Sequence, residues 1–365
     1  MYLALYRKFR PTSFDKVIGQ DHITKTLQNQ IKNDQIGHAY LFCGSRGTGK
    51  TTCAKVFARA INCLNPVDGS PCGECEVCKA LRESNAIDII EIDAASNNGV
   101  EEIRDLRDKV KYPPTVGKYK VYIIDEVHML TTSAFNALLK TLEEPPMHAV
   151  FILATTEVHK LPATILSRVL RFDFKLISTE VIAGLITDIF KQSKINAEPK
   201  AVTLIASAGE GSVRDALSIA DMCASFANND IHYEDVVNVL GVSDSETIFN
   251  LGSAILEERI KDFFDQFTGI CNSGKNLLVT ANDLTKFFRD LLVVKTCGEA
   301  AISGEYDAET AKKLSKLSNE TELPRLNQAM QAFSKIESEL KYSLNPALLI
   351  ETTALSLLSD EVKKN

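Results

Sequence analysis

The chain has 365 residues, 45% hydrophobic and 24% charged, which is ordinary globular composition with apolar material for two or three domains. No stretch reaches the roughly 18 consecutive apolar residues of a membrane helix, and the start, Met1-Tyr2-Leu3-Ala4-Leu5-Tyr6-Arg7-Lys8, lacks the basic-then-apolar order of a secretory signal, so a cytoplasmic protein is expected. A net charge of −7 argues against passive coating of DNA, because phosphate neutralisation needs cations; DNA contact would have to come from a local patch or an assembly.

The first half alternates short apolar runs with helical patterns. The runs are Ala39–Cys43, Ile87–Ile92, Val121–Ile124 and Ala149–Leu153, and Val169–Phe174 reads as an additional edge strand. Strands alternating with helices predict a parallel sheet covered on both faces.

After the first run comes Gly44-Ser45-Arg46-Gly47-Thr48-Gly49-Lys50-Thr51-Thr52, a complete G-x-x-x-x-G-K-[ST] loop leading into a helix over about 50–60. Glycines let backbone N–H groups turn inward around phosphate oxygens, and the helix N-terminus favours the anion. Lys50 is expected to reach the β- and γ-phosphates of ATP, and the Thr51 hydroxyl to bind Mg²⁺.

Cys63, Cys72, Cys75 and Cys78 follow in the spacing C-x₈-C-x₂-C-x₂-C. Four thiolates suit tetrahedral Zn²⁺, with Gly73 easing the tight loop. An iron–sulfur cluster and a redox pair are the alternatives. The other five cysteines, Cys43, Cys53, Cys223, Cys271 and Cys297, are expected to pack as small apolar residues.

The third run ends in Asp125-Glu126. Asp125 is expected to hold Mg²⁺ and Glu126 to polarise the attacking water. A protein that only binds nucleotide needs no second carboxylate there, so the pair points to hydrolysis. A helix over Thr132–Glu144 should stop at Pro145-Pro146. Arg168 follows a helical turn before the edge strand, and Arg214 falls in the first turn of a helix. A cation there opposes the helix dipole, which is understandable if it faces a phosphate.

From about Ser178 strand signals vanish, and 178–241 reads as three or four short helices. The section from about Val242 is also helical. Leu284, Phe287, Phe288, Leu291 and Leu292 form one apolar stripe, Leu326, Met330, Phe333, Ile336 and Leu340 another. Asn345-Pro346 reads as a cap followed by proline at the first helical position.

Together these features resemble the AAA+ ATPases and, within them, the tau/gamma subunits of the bacterial DNA polymerase III clamp loader. The resemblance rests on Tyr6–Pro11, Val17–Gln20, His38–Phe42, Glu91–Ser96, Asp125–Leu130, Phe135–Pro146, Leu161–Arg168 and Gly211–Ser218, and weakens in the last third. It implies an α/β P-loop AAA+ core with a five-stranded parallel sheet over 1–177, a small helical lid over 178–241, and an all-helical oligomerisation collar over 242–365. It implies that Arg168 is an arginine finger reaching a neighbour's ATP, that Arg214 is a lid sensor touching phosphate in cis, and that Thr156, rather than Thr155, is the other sensor. Arg10, Pro11, Val17 and Ile18 resemble the adenine-side wall. This chain has Val169 and Phe9 where the family usually carries cysteine and tryptophan. The family has the same cysteine spacing, which supports zinc.

The implied activity is ATP hydrolysis, with ATP/ADP, Mg²⁺ and structural Zn²⁺ as cofactors, driving a sliding clamp onto primed DNA. The implied partners are other clamp-loader subunits in a pentameric ring, the clamp and primed DNA, with polymerase and helicase if a C-terminal extension exists. A chain ending at Asn365 resembles the short form or a truncated one. Two alternatives remain: a different AAA+ motor such as a helicase or branch-migration protein, against which the cysteine insert and Phe135–Pro146 argue, and a non-enzymatic scaffold, which the intact Lys50, Thr51, Asp125 and Glu126 oppose. No polymerase active-site constellation is present.

Overall fold

The computed structural model describes residues 3–81, 87–241, 245–302, 308–340 and 342–359. They fall into two compact units, 1–233 and 234–365.

The first unit is built on five parallel strands, β1 (Ala39–Cys43), β2 (Ile89–Asp93), β3 (Lys120–Asp125), β4 (Ala149–Thr155) and β5 (Leu170–Asp173), in the order β2-β3-β4-β1-β5. The three central strands are buried almost throughout, with apolar interiors (Ala39–Cys43, Val121–Ile124 and Ala149–Ala154), because both faces are covered. Side chains alternate between the faces. Leu41, Tyr122, Ile124, Phe151 and Leu153 pack with Ile103 and Leu106 of helix Val100–Val110 and with Phe135 and Leu138 of helix Thr132–Glu143. Tyr40, Phe42, Val121, Ile123 and Ile152 pack with Leu27 of helix Asp21–Lys32 and with Val56 and Phe57 of helix Lys50–Ala60. The expected edge strand is present as β5. The run at Ile87 enters the sheet only at Ile89, and Ile87 itself is exposed.

Beyond β5 come the helices Thr179–Ser193, Pro199–Ala208, Val213–Phe226 and Tyr233–Leu240, matching the expected count. The expectation that no strand occurs here is corrected by a two-residue parallel pair, Asn196–Ala197 with Asp230–Ile231. Two residues are too few to show a period of two, so the sequence carries no signal for it.

The second unit contains the helices Ser245–Leu256, Ile260–Asn272, Leu277–Cys297, Ala308–Glu320, Leu323–Leu340 and Pro346–Ser359. Both expected stripes form its core, with Leu292 and Met330 only half-buried at its edge. Gly252 admits the Phe287 ring: a Cβ there would lie 2.3 Å from a ring carbon. Asn345 caps the last helix, its Oδ1 accepting from Leu348 N at 3.2 Å. Among the five remaining cysteines, Cys43, Cys53 and Cys223 are buried and Cys271 is half-buried. Cys297 corrects the expectation. It is exposed, because it ends its helix beyond Val294, the last buried position.

Candidate active site and metal centre

The phosphate loop leaves the carboxyl end of β1, where open α/β sheets bind ligands. Gly44, Gly47 and Gly49 have φ of +143°, +76° and +104°, a region that side chains with a Cβ rarely enter. Lys50 opens the following helix and is buried. Its Nζ donates to the carbonyls of Gly44 at 2.7 Å and Ser45 at 2.8 Å. Burial pulls the Lys50 ammonium below its usual range, and the Glu126 and Asp125 carboxylates push back. Thr48 is buried with its hydroxyl donating to Ser45 O, while Ser45 and Arg46 are exposed.

The end of β3 lies across from the loop. The Thr51 hydroxyl donates to Asp125 Oδ2 at 2.6 Å, which joins the two residues expected to share a magnesium ion. Glu126 follows at φ +47°, a conformation costly for a non-glycine residue and one that clusters at functional sites. Its Oε2 accepts from Thr156 N at 3.3 Å and Thr156 Oγ1 at 3.1 Å. Thr155 instead is fully buried, its hydroxyl 3.0 Å from His128 Nδ1 and accepting from Glu157 N at 3.0 Å. The sequence reading did not single out His128. Its side chain is only 7% exposed and lies between two carboxylates, 3.4 Å from Glu126 Oε2 and 3.3 Å from Glu157 Oε1. It stands two residues beyond Glu126, the one signal that could have pointed to it.

The lid meets the loop directly. Val213 N donates to Gly47 O at 3.2 Å, and a Cβ on Gly47 would fall 1.8 Å from Ser212 Oγ. Arg214 therefore sits in the first turn of its helix, beside the phosphate loop, its guanidinium 5.4 Å from the centre of the Tyr6 ring. The nearby guanidinium groups of Arg7, the stronger, and Arg214 lower the Tyr6 phenol. Nothing in the sequence alone assigns Tyr6 a role. On the same side Arg10 Nε donates to Thr52 Oγ1 at 3.1 Å. Val17 is buried and Pro11 and Ile18 half-buried nearby in sequence. Gln20, also unassigned, is fully buried: Nε2 donates to Thr48 O at 3.4 Å and Lys175 O at 2.8 Å, and Oε1 accepts from Lys175 N at 3.2 Å. One amide thus ties the phosphate loop to the segment leaving β5.

Arg168 lies elsewhere. It precedes β5, whose Leu170 pairs with Tyr40 near the start of β1, whereas the phosphate loop follows the end of β1. The length of β1, roughly 15 Å at about 3.3 Å per residue, separates the two. Arg168 cannot serve the nucleotide on its own loop. It lines an open cleft of about 760 Å³ together with His38, Glu143 and Ser167.

The four cysteines converge as expected. Their Sγ atoms all lie within 4.8 Å of one another, and Cys72 and Cys78 are 3.9 Å apart. A single tetrahedral ion with metal–sulfur bonds of about 2.3 Å requires sulfurs about 3.8 Å apart, so the donor set fits one ion such as Zn²⁺. An iron–sulfur cluster interposes several atoms and needs wider spacing. Backbone N–H groups point at sulfur: Cys72 N at Cys63 Sγ (3.3 Å), Cys75 N at Cys72 Sγ (3.4 Å) and Cys78 N at Cys75 Sγ (3.4 Å). Such bonds favour thiolates. Those from Glu74 and Cys75 lower the Cys72 thiol.

Three family models match consecutive parts of the chain. One described as DNA polymerase III, delta subunit, covers residues 19–178. The DNA polymerase III clamp loader subunit ATPase lid domain covers 181–229, and domain III of DNA polymerase III subunits gamma and tau covers 231–363. DNA polymerase III subunit tau of Bacillus subtilis is 44% identical over 359 residues, 98% of this chain and 63% of that protein. The Escherichia coli subunit tau is 46% identical over 256 residues, 70% of this chain and 40% of that protein. The chain thus spans less than two thirds of either relative. Among solved structures, the Thermotoga maritima RuvB Holliday junction branch migration motor superimposes with a TM-score of 0.50 over 69% of this chain and 80% of that one. At 19% identity this is a likeness of fold alone. Two relatives of one kind, with gamma/tau and clamp-loader lid models beside them, outweigh the single delta-subunit label, and the chain belongs to the tau/gamma family of bacterial DNA polymerase III clamp-loader subunits.

Proposed function

We propose that this chain is an ATP-hydrolysing motor subunit that loads a sliding clamp onto primed DNA. The observation that carries the reading is the 2.6 Å contact between Thr51 and Asp125, with Glu126 next in sequence and held by Thr156. We divide the chain into a nucleotide-binding core (1–177), a lid (178–241) and an oligomerisation collar (242–365).

In this reading Gly44–Thr52 wrap the phosphates with backbone N–H groups, and Lys50 turns from the Gly44 and Ser45 carbonyls to the β- and γ-phosphates. Arg10, Pro11, Val17 and Ile18 flank the adenine. Thr51 and Asp125 hold Mg²⁺, which when bound neutralises charge between the β- and γ-phosphates. Glu126 orients a water and takes its proton as the oxygen attacks the γ-phosphorus. The bond to the bridging oxygen breaks and ADP leaves. Thr156 aims the Glu126 carboxylate, and Arg214 contacts phosphate from the lid in cis. Arg168 contributes to a neighbouring subunit's site, an effect worth about 10³–10⁵ in related phosphoryl transfers. Cys63, Cys72, Cys75 and Cys78 hold a structural Zn²⁺. All four positions go to thiolate, with none left for a catalytic water.

The partners in this reading are other loader subunits in a pentameric ring, the clamp and primed DNA, in the cytoplasm. Among the described residues no helix is long and apolar enough to cross a membrane. The test is steady-state ATP hydrolysis by the chain alone, then with clamp, partner subunits and primed DNA. Strong stimulation, lost in both Lys50→Ala and Arg168→Ala, is the expected result. Equal turnover with and without clamp overturns the reading.

A further inference from the structure

We propose that Glu143 is a positioning residue for Arg168, holding its guanidinium pointed across the cleft so that it meets a neighbour's phosphate already oriented. The proposal rests on the reading of Arg168 as a group acting in trans.

Glu143 ends the helix Thr132–Glu143, with Leu142 buried just before it and Pro145-Pro146 barring continuation. A carboxylate at a helix C-terminus faces the negative end of the helix dipole and is unfavourable there by itself. What it does there is accept from Arg168 NH2 through Oε1 at 2.8 Å. The other guanidinium nitrogen, NH1, donates to Thr164 O at 2.8 Å and Ser167 Oγ at 3.0 Å. Three acceptors on two elements hold a long side chain that would otherwise lose its rotamer freedom only on meeting the phosphate.

Fold stability does not explain the pair. Glu143 and Arg168 are 50% and 34% exposed, and ion pairs so exposed contribute little to stability. The pair is instead on the wall of the open cleft of about 760 Å³, where a phosphate carried by another subunit would enter. Arg168 has five N–H donors, and the three bonds leave donors for a phosphate oxygen. Pre-orientation lowers the ordering cost at the moment of engagement and so acts on the rate rather than on nucleotide affinity.

The experiment compares wild type, Glu143→Ala, Glu143→Gln, Arg168→Ala and the double variant Glu143→Ala/Arg168→Ala, each assembled with partner subunits, clamp and primed DNA. The readouts are kcat and KM for ATP, with the melting temperature of the isolated chain as the folding control. Glu143→Ala is expected to lower kcat roughly tenfold with little change in KM, as for an interaction used only in the transition state. Glu143→Gln keeps the Oε1 acceptor and is expected to stay within about twofold of wild type. The double variant should match Arg168→Ala, because a positioning residue has nothing left to position. A Glu143→Ala rate equal to or above wild type overturns the proposal, as do deficits that multiply in the double variant. An Arg168→Ala complex with undiminished turnover removes the trans reading and this proposal with it. Normal loss in Arg168→Ala with an unaltered Glu143→Ala removes the proposal alone.

Discussion

Thr156 grips Glu126 twice, through its backbone N–H at 3.3 Å and its hydroxyl at 3.1 Å, both on the same carboxylate oxygen. The two residues are 30 apart in sequence and directly follow adjacent strands, β3 and β4. The hydroxyl bond is to a charged acceptor, the stronger class of hydrogen bond. Thr156→Val removes it and keeps the N–H. The expected outcome is a kcat for ATP roughly tenfold lower with unchanged ATP affinity, and recovery in Thr156→Ser. Single-turnover hydrolysis beside equilibrium nucleotide binding checks this. A Thr156→Val enzyme at full rate would show that the contact does not bear on the chemistry.

The Thr51–Asp125 contact makes a separate prediction about metal dependence. Asp125→Asn is expected to raise the Mg²⁺ concentration for half-maximal hydrolysis at least about tenfold and to lower kcat by roughly 10²-fold. Thr51→Ser retains the hydroxyl and should behave like wild type, whereas Thr51→Val should follow Asp125→Asn. A Mg²⁺ titration of all three variants is the measurement.

The cysteine cluster predicts about one equivalent of Zn²⁺ per chain, released by a thiol-modifying reagent and measured with a chromogenic chelator. Cys75→Ser should bring zinc content well below that and lower the melting temperature. Elemental analysis finding iron with labile sulfide, or no metal in protein purified without chelator, would contradict it.

Asp283, in the helix Leu277–Cys297, predicts a pH dependence of the second unit. Burial raises its carboxyl to about 6, with Lys286 pulling the other way, and its Oδ2 is buried with no hydrogen-bond partner among the described residues. An acid whose folded pKa exceeds its unfolded value, about 3.9, binds more protons folded than unfolded between those values. Its contribution therefore weakens stability as pH rises from about 4 through about 6. Asp283→Asn is expected to stabilise the protein at pH 7.5 by on the order of 1–3 kcal/mol, with the gain disappearing near pH 4. Denaturant unfolding at the two pH values tests the sign. Destabilisation at pH 7.5 would refute it.

Much of this architecture was legible because local signals and fold agree. The phosphate loop needs particular residue types at fixed offsets, so Gly44–Thr51 specified both a site and its strand–loop–helix context. The central strands were plain because burial on both faces writes an unbroken apolar run. The convergence of Cys63 with Cys72–Cys78 followed from thiolate chemistry. What stayed hidden depends on contacts between distant segments. Gln20 meets Lys175 across 155 residues, and nothing local marks a glutamine as a buried clamp. His128 acquires its place between two carboxylates only when β4 delivers Glu157 beside it. The Asn196–Ala197 pair is too short to have a period. Cys297 is exposed against expectation because composition says how often cysteine is buried and not where a helix leaves its core.

In the reading proposed for Arg168 as a group acting in trans, its placement at the opposite end of β1 from the phosphate loop makes each chain a directed link. A two-fold symmetric pair could satisfy two sites at most and then closes on itself, adding no further subunit. Head-to-tail stacking can go on adding subunits, and every added subunit then presents a fresh loop at one end and a fresh arginine at the other. In an arc that stops short of closure, one terminal subunit has a loop that no arginine completes, and the opposite terminal subunit has an arginine with no loop to serve. The number of complete sites is then one fewer than the number of chains, and the gap has a defined polarity.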